Sequence, residues 1–180
     1  MLVVLDYGAG NLRSVVRALE VGGARPVVLG DPEALLRADA LVFPGVGAAG
    51  SAMGRLREGG LDEAIREFYR SGRPILGVCL GLQLLFDLSE EDGGTPGLGL
   101  IPGRVRRFPD GLKVPHMGWN QVRRRKDHPI LAGIPDGAYF YFVHSYYAEP
   151  ADPAVVVGTT DYGVDFASVV ARENLVATQF

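Results

Sequence analysis

Short apolar runs alternate with amphipathic segments through the first half of the chain. Such runs, separated by turns rich in glycine and proline, favour buried strands. They predict strands at residues 2–6, 27–29, 40–43 and 73–78. The segments between them predict helices through 12–19, from residue 32, over 50–58 and over 61–71. Strands that alternate with helices indicate parallel β-α units, in which both faces of the sheet are covered.

Two of these helices carry recognisable starts. Asn11 precedes the apolar positions of the first helix and can accept a hydrogen bond from its first turn, while Gly22-Gly23 is a stop signal. The tripeptide Asp31-Pro32-Glu33 combines a capping residue, a first-turn proline and an acidic first turn. We therefore expect helices to begin at residues 12 and 32.

After residue 90 the pattern changes from mixed to strand-rich. Residues 89–99 form an acidic, glycine-rich connection. Further strands are predicted at 103–108, 119–124, 138–147, 154–160, 164–171 and 174–180. The expected fold is α/β, a single domain over residues 1–180 with a central, mostly parallel sheet, flanking helices and extra antiparallel strands in the second half.

The fourth strand ends in the sequence Gly77-Val78-Cys79-Leu80-Gly81. A nucleophile between two glycines is typical of a sharp turn from strand to helix that exposes the reactive side chain. Leu80, Leu84 and Leu88 are spaced by four and predict the helix that follows. A thiol at a helix N-terminus is expected to ionise more easily. The alternative is that Cys79 is a small buried apolar residue, as many intracellular cysteines are.

Parallel sheets bind ligands at the carboxyl ends of their strands. The loops 7–11 and 44–48 and the turn at Cys79 are therefore predicted to meet at one edge of the sheet. A thiolate that attacks a carbonyl needs donors for the developing oxyanion. The N–H of Leu80 is one candidate, and the glycines of Pro44-Gly45-Val46-Gly47 allow a second donor there. An ordinary strand-to-helix turn is the other interpretation of that loop.

A general base is the missing part of this site. The chain has three histidines. His128 lies before a proline in a charged loop and is expected at the surface. His116 lies in an irregular stretch, and His144 ends an aromatic strand, where a hydrogen-bonded structural histidine is more common than a base. None has an evident carboxylate companion, so the sequence shows no complete triad.

Composition and the missing motifs exclude several classes of protein. The net charge of −3 argues against general nucleic-acid binding, and the basic runs 104–107 and 123–126 are interpreted as solvated strand ends rather than a partner surface. One cysteine and a first segment without signal-peptide features predict a cytoplasmic protein. Gly8-Ala9-Gly10 lacks the third glycine of the dinucleotide fingerprint, since Arg13 stands there, and no P-loop or zinc spacing occurs. We expect neither a cofactor nor a metal.

Taken together, five motifs resemble those of the class I glutamine amidotransferases, which have a flavodoxin-like fold. The resemblance covers the whole chain. Within this class, the chain most resembles the glutaminase subunits of imidazole glycerol phosphate synthase, which act in histidine biosynthesis. The general motifs are Pro44-Gly45-Val46-Gly47 and Gly77 to Gln83. The narrower motifs are Asp6 to Leu12, Pro115 to Asn120 and Phe142 to Tyr146.

The resemblance implies that Cys79 attacks the side-chain amide of glutamine, giving a γ-glutamyl thioester and ammonia. It assigns the oxyanion region to Val46, Gly47 and Leu80, and the glutamine pocket to Gln83, Ser145 and Tyr146. It also implies a (β/α)₈-barrel cyclase partner that receives the ammonia, with glutaminase activity dependent on that partner. Asn11, Met117, Trp119 and Asn120 match family positions at the interface.

Family members carry the catalytic histidine and glutamate in a His-Pro-Glu motif directly after Thr-Gln-Phe. The 180 residues end at Thr178-Gln179-Phe180. They therefore lack that motif and the closing helix, and by themselves are not expected to hydrolyse glutamine at a useful rate. Two other functions stay open at this point: an amidotransferase subunit for anthranilate or pyridoxal phosphate synthesis, and a non-catalytic binding or stress protein with the same fold.

Overall fold

A computed structural model describes residues 1–180. The strands are β1 Leu2–Leu5, β2 Pro26–Leu29, β3 Ala40–Gly45, β4 Ile75–Cys79, β5 Phe86–Ser89, β6 Thr95–Pro96, β7 Ile101–Arg107, β8 His116–Arg124, β9 Ala138–His144, β10 Tyr146–Pro150, β11 Val156–Asp161, β12 Asp165–Arg172 and β13 Leu175–Thr178. The helices are α1 Leu12–Val21, α2 Pro32–Leu36, α3 Ala49–Glu58, α4 Leu61–Arg70 and α5 Leu80–Leu84. Short 3₁₀ turns cover Glu91–Gly93, Pro129–Leu131 and Pro153–Val155.

The parallel part of the sheet has the order β2-β1-β3-β4-β13. Its strands pair in parallel throughout, so their carboxyl ends lie at the same edge. β4 lies between β3 and β13 in this part. The last strand of the chain therefore lies directly beside the strand that ends in Cys79.

The remaining strands are mostly antiparallel. β12 pairs with β13, β11 and β10, and β10 pairs in turn with β7. A hairpin of β8 and β9 is attached through β11. The α/β fold class, with flanking helices and antiparallel strands in the second half, is confirmed, although the sheet as a whole is mixed.

Both predicted helix starts are confirmed by their capping bonds. The Asn11 side chain accepts from the Ser14 N–H at 3.4 Å. The Asp31 carboxylate accepts from the Ala34 N–H at 2.7 Å. In each case a side-chain oxygen near the helix start satisfies an N–H group that has no partner within the helix.

Two element predictions are wrong. The helix expected through Leu88 ends at Leu84, because Phe86–Ser89 pairs as a strand with β7 and β6 and leaves Leu88 exposed. The strand expected over 138–147 is two strands separated by Ser145. β9 pairs with β8, whereas β10 pairs with β7 and β12, so the chain changes partners at that residue.

Two groups of buried side chains hold these layers together. The main core of 31 buried residues includes residues of β1, β3, β4 and of helices α2 to α5. A second core of seven buried residues lies around Phe108, Phe142 and Phe166 and includes residues of β8, β9, β11 and β12. The basic residues Arg123, Arg125 and Lys126 are exposed, as predicted. No helix has the length and apolar character needed to span a membrane.

Candidate active site

Cys79 lies at a strained turn between β4 and α5. Its φ and ψ are 57° and −112°, a conformation that a residue with a side chain rarely adopts. A Cβ on Gly81 would lie 1.9 Å from the Phe43 carbonyl oxygen, and one on Gly77 would lie 2.9 Å from the Ala177 Cβ. The two glycines are therefore required by close contact between neighbouring chain segments, and the turn presents the thiol at the carboxyl edge of the sheet.

The three predicted loops meet at this edge. Gly45 at the end of β3 is paired with Cys79 in the parallel register. The buried Tyr7 hydroxyl donates a hydrogen bond to the Pro44 carbonyl at 2.9 Å. Burial raises the pKa of Tyr7 far above its usual value, with the nearby Cys79 thiol adding to the effect. Tyr7 therefore stays a neutral donor and links the 7–11 loop to the loop that begins at Pro44.

A cleft of about 390 Å³ opens beside the thiol. Seven sequence-predicted residues line it: Cys79, Val46, Gly47, Leu80, Gln83, Ser145 and Tyr146. Glu91, Pro115, Val143 and His144 complete the lining. The structure thus brings together every residue assigned to the nucleophile, the oxyanion region and the glutamine pocket.

Gln83 and Gln179 connect the cleft wall to the thiol. The Gln83 Nε2 donates to the Tyr146 carbonyl at 3.1 Å and to the Gln179 Oε1 at 3.0 Å. The Gln179 Nε2 in turn lies 3.7 Å from the Cys79 Sγ, within hydrogen-bond reach of sulfur. Sequence reasoning did not assign Gln179 a role. The one sequence feature that pointed to Gln179 was its place in the tripeptide Thr178-Gln179-Phe180. The pattern of apolar residues did not show that β13 lies beside β4.

The prediction that Cys79 ionises easily is wrong, because the structure favours the neutral thiol. Burial raises the pKa of the Cys79 thiol above its ordinary value, and hydrogen bonds from the Leu80 N–H and the Gln179 amide oppose this only in part. α5 is only five residues long, and burial removes the water that would stabilise a thiolate. In this arrangement the thiol needs a base to become a strong nucleophile.

The loop after β3 is exposed and is held at one end. Val46 is 54% exposed, and Gly47 has a φ of 98°, which favours glycine. At its far end the Glu91 carboxylate accepts from the Ala49 N–H at 2.7 Å and caps α3, whose own Ala48 offers no side-chain cap. Sequence reasoning treated residues 89–99 as a connection and so missed Glu91. An acidic residue in a turn gives no sign of which distant helix it will cap.

Neither buried histidine is arranged as a base for the thiol. The His144 Nδ1 bonds to the Tyr146 carbonyl at 2.8 Å, and its Nε2 bonds to the His116 Nδ1 at 3.0 Å. Both ring nitrogens of His144 are therefore occupied, and no carboxylate bonds to either ring. His128 is half-exposed and accepts from the Ile130 N–H. The structural interpretation of His144 fits this geometry.

The residues predicted for a partner interface lie outside the cleft. Met117 and Trp119 are exposed on β8, opposite Val143 and Tyr141 of β9. Together with Tyr139 these five side chains form an exposed apolar patch, which we call the hairpin patch. Asn120 points its amide inward instead, and Asn11 is exposed at the start of α1.

The chain matches the family model described as glutamine amidotransferase class-I over residues 3–180. Among solved structures, it resembles a glutamine amidotransferase with a TM-score of 0.76 at 21% identity, covering 99% of this chain and 88% of that one. It also resembles the structure of PurLQS from Thermotoga maritima, with a TM-score of 0.75 at 18% identity over 98% and 84% of the two chains. At these identities the likeness shows the fold.

Curated relatives give a narrower result. The chain is 52% identical to the imidazole glycerol phosphate synthase subunit HisH of Dehalococcoides mccartyi, over 100% of this chain and 88% of the relative. It is 53% identical to the HisH subunit of Methanothermobacter thermautotrophicus, over 100% of this chain and 89% of the relative. The chain therefore belongs to the class I glutamine amidotransferases and, within them, to the HisH subunits of imidazole glycerol phosphate synthase.

Proposed function

We propose that this chain belongs to the glutaminase subunit of an imidazole glycerol phosphate synthase, and that the complete subunit hydrolyses glutamine to glutamate and ammonia. The observation that carries the proposal is the Cys79 thiol, held at a strained turn and facing a cleft beside the glycine-containing 44–47 loop. The relatives named above share more than half of its residues. We expect it to act in the cytoplasm, as its single cysteine suggests.

The first chemical step is attack of the Cys79 Sγ on the side-chain carbonyl carbon of glutamine. A sulfur–carbon bond forms, and the carbonyl electron pair moves to the oxygen. The Leu80 N–H and N–H groups of Val46 and Gly47 are the proposed donors to that oxyanion. Collapse breaks the carbon–nitrogen bond, and the thiol proton, carried by a base, leaves with ammonia. Water then hydrolyses the thioester to glutamate.

The base is proposed to follow Phe180, as in the family motif described above. Two features of the structure support that position. β13 runs parallel to β4 with Thr178 paired to Val78, and the Gln179 amide reaches the Cys79 sulfur. A segment that continues from Phe180 would therefore start next to the nucleophile. A histidine there could accept the proton that the buried, high-pKa thiol retains.

The partner is proposed to be a (β/α)₈-barrel cyclase that receives the ammonia and makes imidazole glycerol phosphate and an aminoimidazole carboxamide ribotide. The hairpin patch supports a docked partner, because exposed aromatic side chains are enriched at protein interfaces. Asn11, Met117, Trp119 and Asn120 are the proposed interface residues. The Val46 peptide is proposed to turn its N–H toward the oxyanion only when the cyclase holds its ligand.

The test is reconstitution of the complete protein with the cyclase. Glutamine turnover is measured for the subunit alone, for the complex, and for the complex with ribonucleotide ligand bound. We expect turnover to rise by more than about tenfold at the last step, since each correctly placed oxyanion donor contributes at least that much. Equal turnover in all three states would overturn the proposed switch, and no turnover in any state would overturn the glutaminase assignment.

Replacement of Trp119 by alanine is expected to weaken binding of the cyclase about thirtyfold, measured as Kd by calorimetry. Trp119 is 70% exposed and packs edge-on against Tyr141 at 5.7 Å, so it can contribute a large apolar area to a partner at little cost to the fold. A buried interfacial tryptophan commonly accounts for about 2 kcal/mol or more, which corresponds to that factor.

The matched control for this variant is Val21→Ala. Val21 is 77% exposed at the far end of α1, and its replacement should leave the Kd unchanged. Equal affinity of the Trp119→Ala variant and the unmodified protein would remove the hairpin patch from the proposed interface.

A further inference from the structure

Four polar groups form a continuous path of hydrogen bonds between the hairpin and the cleft wall. The Asn120 Nδ2 lies 3.2 Å from the His116 Nε2. The His116 Nδ1 lies 3.0 Å from the His144 Nε2, and the His144 Nδ1 lies 2.8 Å from the Tyr146 carbonyl oxygen. Both imidazole rings are buried, His116 at 3% exposure and His144 at 6%. Neither ring nitrogen of either histidine is left without a partner.

The partners at the two ends allow only one proton arrangement. The Tyr146 carbonyl can only accept, so the His144 Nδ1 carries a proton and, in the neutral ring, its Nε2 accepts. The His116 Nδ1 must then donate and the His116 Nε2 must accept from Asn120. The Asn120 amide is oriented independently, because its Oδ1 accepts from the Gln121 N–H at 2.8 Å and its Nδ2 also donates to the Asp161 carbonyl.

The charge state of the rings agrees with this arrangement. Burial lowers the pKa of His116, and burial lowers the pKa of His144 to about 4. Both rings are therefore neutral at physiological pH, and each has one donor and one acceptor. His116 also stacks between Phe142 and Tyr162, with ring centroids at 5.1 and 4.0 Å, which fixes the plane of its ring.

The Tyr146 carbonyl joins this path to the hydrogen bonds of Gln83 and Gln179 that lead to Cys79. That oxygen accepts from His144 and also from the Gln83 Nε2, so both of its lone pairs are used. Gln83 continues to Gln179, and Gln179 to the Cys79 sulfur. Displacement of the carbonyl would shift Gln83, which lines the cleft, and through it the amide that contacts the nucleophile.

We propose that His116 and His144, in a single tautomer with the proton on Nδ1, are positioning residues that fix the Tyr146 carbonyl and thereby Gln83, Gln179 and Cys79. The inference rests on the proposed function for its kinetic consequence. The path starts at Asn120, next to Trp119 of the hairpin patch, and ends at the thiol. It links the face proposed to bind the cyclase to the site proposed to hydrolyse glutamine.

The first test is the tautomer itself, read from long-range ¹H–¹⁵N correlations of the complete protein with labelled histidine. Residues 1–180 contain three histidines and the proposed base adds another, so separate His116→Asn, His128→Gln and His144→Asn variants assign the three signals. We expect both His116 and His144 in the Nδ1–H form near pH 7. A proton on the Nε2 of either ring would overturn the proposal.

The second test compares two His116 variants in the complex. His116→Phe keeps the aromatic stack but removes the donor to His144, and we expect its glutaminase kcat to fall about tenfold, as for loss of one hydrogen bond. His116→Asn can place an amide N–H where the Nδ1–H lies, and we expect kcat within about threefold of the unmodified protein. A merely structural role predicts the reverse order, since asparagine loses the stack and leaves a void.

The outcomes separate this inference from the proposed function. Normal turnover by the unmodified complex, with the phenylalanine variant as active as the asparagine variant, overturns the positioning role. Absence of glutamine turnover in the unmodified complex overturns the proposed function instead, and the tautomer measurement then still decides the direction of the hydrogen bonds.

Discussion

Replacement of Cys79 by alanine is expected to lower the glutamine-driven turnover of the complex by at least about a thousandfold, because no other residue at the cleft can form the thioester. The thiol is the only cysteine of the chain. Turnover driven by free ammonia should stay within about twofold, since ammonia replaces the product of the glutaminase step. Both rates are measured on the same complex, by formation of the cyclase product.

Alanine is a suitable replacement because it preserves the local backbone. It keeps a Cβ, so the strain at a φ of 57° is unchanged, whereas glycine would relieve it. The variant loses only the sulfur and its contacts with the Gln179 amide and the Leu80 N–H. Retention of glutamine-driven turnover by this variant would rule out the thioester route, and loss of both activities would point to a failure of assembly.

Replacement of Gly81 by alanine is expected to cost at least about 3 kcal/mol of unfolding free energy, the upper part of the range for overpacked sites. The added methyl would lie 1.9 Å from the Phe43 carbonyl oxygen and 2.9 Å from its carbon. Both atoms belong to the backbone of a central strand that pairs on each side, so neither can move away cheaply. The measurement is urea denaturation of the complete protein.

Gly54→Ala is the matched control for this substitution. Gly54 lies within α3, and a Cβ there meets nothing within 4 Å. Alanine at an open helical position is expected to raise the unfolding free energy by about 0.5–1 kcal/mol, because it restricts the unfolded chain and favours helix. Similar effects at the two positions would show that the close contact at the turn is not what requires glycine.

The nucleophile Cys79 and the 44–47 loop lie at the same edge of the sheet, at the ends of the neighbouring strands β4 and β3. Cys79 has a positive φ at the end of β4, which pairs with β3 on one side and β13 on the other. Tyr7 holds the Pro44 carbonyl from the next loop. Loss of the Tyr7 hydroxyl is therefore expected to affect the position of the loop beside the thiol.

Much of the first half of the fold was predictable from the sequence. Helix starts at Asn11 and Asp31 depend on contacts within a few residues, so their patterns were sufficient. The turn at Cys79 was predictable from its two flanking glycines, although the contacts that require them come from distant segments. The strands after α5 were harder to predict, because their bounds depend on which neighbouring strand they pair with. Phe86–Ser89 forms a strand despite the helical spacing of Leu80, Leu84 and Leu88, because its backbone pairs with β7. The break at Ser145 has the same cause.

The sequence by itself determined the class of chemistry: a lone cysteine between two glycines, after a buried strand and near a glycine-containing loop, pointed to a nucleophile with oxyanion donors. Only the tertiary structure decided how that nucleophile is held. The Gln179 amide, the Glu91 cap and the His116–His144 pair act across 100, 42 and 28 residues of sequence separation, respectively. Side-chain hydrogen bonds between distant segments leave no periodic pattern in a sequence, because they depend on strand order and register rather than on local spacing.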